Sequence, residues 1–111
     1  MIYLDTNVLI SYIDELDANH ETAVKLLKGL REKKVVSKLT LVELASVYSR
    51  AGLEEPLALA LYSVNRAGAS VATVDFNDVM TRAFKYAQIL GLRSPDLLHV
   101  VACKLAGSKR L

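Results

Sequence analysis

Short apolar, β-branched runs alternate with longer segments of helical period along the chain, and this alternation excludes both a helical bundle and a strand-only sandwich. The strand candidates are residues 2–4 (Ile-Tyr-Leu), 35–37 (Val-Val-Ser) and 70–74 (Ser-Val-Ala-Thr-Val). Helical segments fill the intervals, at about residues 7–15, 19–33 and 40–50 in the first half. The second of these carries Ala23, Leu26, Leu27 and Leu30 as an apolar stripe. Glu54-Glu55-Pro56 is a strong helix start, with acids at the positive end of the dipole and proline in the first turn. The segment 57–64 that follows is apolar almost all round, which predicts a helix sandwiched in the core or covered by a second subunit. A further helix opens at Asp75 with Val79, Ala83, Tyr86, Ala87 and Leu90 on one face, and stops at Gly91. Ser94-Pro95 opens the last, whose stripe is Leu98, Val101, Ala102 and Leu105, and Gly107 ends it. Residues 109–111 read as the entry to one more strand. The expected class is α/β, a parallel sheet with helical crossovers.

The 111 residues, 52% hydrophobic, are read as one domain spanning 1–111, with enough apolar side chains for a packed core and too many for a disordered chain. No apolar run approaches the roughly 20 residues that span a bilayer, and strand-like sequence from residue 2 leaves no room for a leader. A cytoplasmic protein without membrane contact is the expectation. The single cysteine, Cys103, excludes an internal disulfide and a cysteine-based zinc site, and its apolar neighbours predict a buried thiol. The net charge of +2 neither demands nor excludes nucleic acid. Lysines and arginines crowd residues 25–38 and 104–110, where they serve as solubilising charge or as a track for phosphates.

Three acids have comparable settings in the sequence. Asp5 ends the first strand and is followed by Thr6 and Asn7; Glu43 lies in Lys38-Leu39-Thr40-Leu41-Val42-Glu43; Asp96 follows Ser94-Pro95. Open α/β sheets place their chemistry at the carboxyl ends of strands, where Asp5 is delivered. If folding gathers Asp5, Glu43 and Asp96, the pocket is lined by oxygen donors and suits Mg2+ or Mn2+. Each acid also has a structural explanation: Asp5 as a helix N-cap, Glu43 as the far end of a T-x-x-E capping box from Thr40, Asp96 as a response to the helix dipole. Asp75 also ends a strand, but Asp75-Phe76-Asn77-Asp78 reads as a cap for the helix behind it. His99, one turn beyond Asp96, is read as a packed or partner-bonded histidine, with metal ligation or base catalysis as the alternative. His20 is read as a helix-start residue, and the five tyrosines as core residues rather than a base-stacking platform.

With these segments in order, the chain resembles a PIN domain and is similar to the VapC-type ribonucleases of toxin–antitoxin pairs. The resemblance runs through Asp5-Thr6-Asn7, residues 37–43 and Ser94-Pro95-Asp96-Leu97-Leu98-His99. It implies a three-layer fold with a central parallel sheet of strand order 3-2-1-4-5, flanked by helices. It also implies a Mg2+- or Mn2+-dependent endoribonuclease, with Asp5, Glu43 and Asp96 as catalytic metal ligands and Thr6 and Asn7 lining the site. RNA as substrate and an antitoxin protein as partner follow from the same likeness. Against the family pattern the last strands are missing, and with them a fourth acid, so weak or absent activity is one expectation. A catalytically silent module binding a protein or RNA is the alternative. A phospho-acceptor receiver domain fits less well, since Asp5-Thr6 lacks the adjacent acidic pair. Self-association, as a homodimer or higher oligomer, is expected from the apolar 57–64 helix and from an unpaired edge on the first strand.

Overall fold

The computed structural model describes the backbone of residues 1–110 and the side chains of residues 1–108; Leu111 lies outside the described residues. Ten elements follow one another: β1 (Ile2–Tyr3), α1 (Thr6–Ile13), α2 (His20–Gly29), β2 (Lys34–Val36), α3 (Lys38–Arg50), α4 (Pro56–Arg66), β3 (Ala69–Val71), α5 (Phe76–Leu90), α6 (Ser94–Leu105) and β4 (Lys109–Arg110). The sheet has the order β3-β2-β1-β4, and every pairing is parallel. Three strands form its body, and the two-residue β4 lies along β1, pairing Ile2 with Lys109 and Tyr3 with Arg110. This corrects the expectation of a bare β1 edge and agrees with the reading of residues 109–111 as the entry to one more strand; no fifth strand is present among the described residues. The chain leaves α6 through Gly107, whose φ of 68° suits a residue without Cβ, and turns straight into that edge.

The three layers follow from the two-residue period of the strands. Ile2, Leu4 and Val36 point to one side, where they meet Leu9 of α1, Leu27 of α2, Leu44 of α3 and Ala60 and Val64 of α4. Tyr3 and Val35 point to the other and meet Val79 and Ala83 of α5 and Leu97, Val101, Ala102 and Cys103 of α6. The Cys103 thiol is buried and donates to the Ser108 carbonyl at 3.2 Å. His20 opens α2, and its Nδ1 lies 2.9 Å from the Ser11 carbonyl.

Several elements depart from the sequence-based expectation: α2 stops at Gly29 rather than at 33, β3 spans Ala69–Val71 rather than 70–74, and α3 and α4 differ as well. Helix α3 begins at Lys38 rather than Thr40, because Ser37, at the end of β2, is the N-cap. The Leu39 N–H donates to Ser37 Oγ at 3.2 Å and the Ser37 N–H donates to Thr40 Oγ1 at 3.4 Å, so Thr40 answers the cap instead of making it. The T-x-x-E box is therefore not formed, and Glu43 sits in the second turn. Helix α4 buries only Ala60, Ser63 and Val64 and leaves Leu57 57%, Leu61 48% and Tyr62 57% exposed, so it is neither sandwiched nor covered within this chain.

Candidate active site

Asp5, two residues beyond β1, has an extended backbone and stands as N-cap of α1. Its cap bond is long, the Asn7 N–H reaching Oδ1 at 3.5 Å, whereas the corresponding bond from Asn77 to Asp75 is 2.9 Å. Parallel strands and their crossovers carry the start of α1, the second turn of α3 and the first turn of α6 to the same end of the sheet. There Asp5, Glu43 and Asp96 line one cleft of about 420 Å3 together with Thr6, Asn7, Ser46, Arg50 and His99. Asp75 caps α5 and is not part of its lining.

Beneath Glu43 lies a chain of polar groups contributed by both faces of the sheet. The buried Thr6 hydroxyl donates to Glu43 Oε1 at 2.8 Å, and the same oxygen meets His99 Nε2. The other ring nitrogen of His99, Nδ1, lies 2.6 Å from the Tyr3 hydroxyl, which is 2.7 Å from Ser37 Oγ. Tyr3 and His99 also meet ring edge to ring face at 5.6 Å between centroids. His99 is 4% exposed and Tyr3 fully buried, so these polar groups are satisfied by one another; among the described residues no buried side-chain nitrogen or oxygen lacks a partner. The partner-bonded reading of His99 is the one realised. Tyr3 and Ser37 were missed as site residues because nothing local links them to His99, 96 and 62 positions away. A readable signal did exist in Asp96-x-x-His99, the i, i+3 spacing that puts both on one helix face.

The donor set fits a hard divalent cation in chemistry: three carboxylates, no thiolate, and an imidazole already engaged at both nitrogens. The arrangement is open. Among the described residues no three histidine, cysteine, aspartate or glutamate side chains stand together as ligands of one ion.

A parallel sheet between two helical layers, with carboxylates lining a cleft at one end, agrees with a PIN architecture, and the chain belongs to the PIN domain family, whose model matches residues 2–111. PIN domains are typically nucleases and generally metal-dependent. Among solved structures the chain is similar to Mycobacterium tuberculosis VapC20, a sarcin-ricin loop cleaving toxin. The TM-score is 0.73 at 18% identity, over 97% of this chain and 85% of that one. A toxin–antitoxin complex from Klebsiella pneumoniae gives a TM-score of 0.73 at 18% identity, over 99% and 83% of the two chains. VapBC2 from Rickettsia felis, bound to a DNA fragment from its promoter, gives 0.69 at 17%, over 99% and 85%. At these identities the likeness is one of fold. No curated protein matches the sequence significantly.

Proposed function

We propose that the chain is a Mg2+- or Mn2+-dependent endoribonuclease of the VapC kind, acting in the cytoplasm as the toxin of a toxin–antitoxin pair. The observation that carries this is the presence of Asp5, Glu43 and Asp96, from three distant segments, around one cleft. Asp5, Glu43 and Asp96 would hold the cation, with Thr6 and Asn7 supporting them. When bound, such an ion supplies Lewis-acid stabilisation of the charge that develops on phosphate oxygens during in-line displacement. Arg50, on the cleft wall, would orient an RNA phosphate. Cleavage of single-stranded or structured RNA should require Mg2+ or Mn2+, stop on addition of EDTA, and fall steeply in Asp5→Asn and Asp96→Asn. Metal-independent cleavage refutes the mechanism.

One observation favours a second reading, a PIN module that binds a protein or RNA without cutting it. The described acids are not gathered on one point, and Glu43 Oε1 is already occupied by Thr6 and His99. Under that reading RNA binding survives EDTA and no product appears. The toxin–antitoxin complexes among the structural relatives support a protein partner under both readings.

A further inference from the structure

Glu43 is held by its inner oxygen alone in the contacts that fix it: Oε1 takes the Thr6 hydroxyl and His99 Nε2. An ionised carboxylate only accepts, so Nε2 carries a hydrogen. In a neutral imidazole Nδ1 is then the acceptor, and the Tyr3 hydroxyl, 2.6 Å away, must donate to it. That uses the tyrosine's hydrogen, so across the 2.7 Å contact the Ser37 hydroxyl donates to Tyr3. The four groups thus point one way, Ser37 to Tyr3 to His99 to Glu43. The start of the chain is anchored, because Ser37 is fixed as N-cap of α3, the helix that carries Glu43.

We infer that His99 is a positioning residue for the metal site, its Nε2–H tautomer demanded by Glu43 and accommodated by the Tyr3 and Ser37 hydroxyls, and that it holds Glu43 Oε1 inward so that Oε2 is the oxygen presented to the cleft. His99 touches no substrate in this scheme. It acts through Glu43, as an outer hydrogen-bond partner acts on a metal-ligating carboxylate. The inference rests on the proposed metal site and adds the residues that aim it.

The test is Mn2+ affinity of the full chain, by calorimetric titration, for the unmodified protein, His99→Gln and His99→Leu, with circular dichroism to verify folding. Glutamine carries an amide N–H near the position of Nε2–H and should bind Mn2+ nearly as the unmodified chain does. Leucine should weaken binding about tenfold or more, the usual effect of losing such a partner. Nitrogen-15 NMR of the His99 ring supplies a readout free of metal: the unmodified protein should show the Nε2–H tautomer, and Tyr3→Phe, which leaves the Glu43 acceptor in place, should retain it. An Nδ1–H tautomer in the unmodified protein overturns the inference, as does a folded His99→Leu that binds Mn2+ as tightly as the parent. In both cases the metal site itself stands. If the unmodified chain binds no Mn2+ at millimolar concentration, the metal-site reading fails and the inference fails with it.

Discussion

Asp5 and Asp75 provide a matched pair, because both are aspartate N-caps with extended backbone, and only Asp5 faces the cleft. Asparagine caps about as well as aspartate, so Asp→Asn at either position retains the cap and loses the charge at the helix N-terminus, about 0.3–1 kcal/mol. For a chain of this length about 1 kcal/mol corresponds to roughly 4 °C in Tm, so each variant should melt no more than about 4 °C below the parent without metal. Asp5→Asn should lose less, since removing one of three neighbouring carboxylates relieves like-charge repulsion. Metal separates the two. At Mn2+ about a hundred times above its Kd, binding to the folded state alone adds about 2.7 kcal/mol, a rise of roughly 10 °C. The parent and Asp75→Asn should show that rise in a thermal melt with Mn2+ against EDTA, while Asp5→Asn should show little of it. Equal rises in both variants, or equal losses, would refute the assignment of Asp5.

Leu57, Leu61 and Tyr62 leave an apolar face on α4, and self-association through it should be abolished by Leu57→Glu with Leu61→Glu; a parent that sediments as a monomer at tens of micromolar contradicts this. Leu9, fully buried beneath the sheet, should cost about 2–5 kcal/mol on replacement by alanine, read from urea unfolding. Lys104 donates to the hydroxyl of the half-buried Tyr86 at 3.3 Å and draws it below the ordinary tyrosine value of 10.0, first through this bond and then through its charge. The pairing favours the phenolate over the phenol, so its contribution is present at high pH and lost as pH falls through the lowered pKa. Lys104→Met should raise the tyrosine titration, followed by ultraviolet absorbance; an unchanged titration would contradict the pairing.

What was legible in the sequence was what depends on near neighbours. Ile2-Tyr3-Leu4 ahead of Asp5, and the Ser94-Pro95 start ahead of Asp96, identify a strand end and a helix start because period and capping are local properties. Glu43 was ambiguous because Thr40 and Glu43 have the spacing of a capping box. Burial of Ser37 at the end of β2 moved the cap three residues back and left Glu43 available to the cleft. Tyr3 read as a core residue, and it is one; its hydroxyl matters only because α6 brings His99 against it, a contact that no spacing encodes. For the 57–64 helix, an all-round apolar pattern states that some surface must be covered without stating which side faces the sheet. The pairing of β4 with β1 likewise depends on how the chain turns out of α6, which two residues of strand-like sequence do not specify.

The most direct measurement is a crystal structure of the chain soaked in Mn2+, with anomalous scattering locating the ion. The account predicts a Mn2+ peak in the cleft, ligated by carboxylate oxygens of Asp5, Glu43 and Asp96 directly or through water, with Glu43 Oε1 still turned toward His99. A peak elsewhere on the molecule, or an empty cleft at millimolar Mn2+, would contradict it.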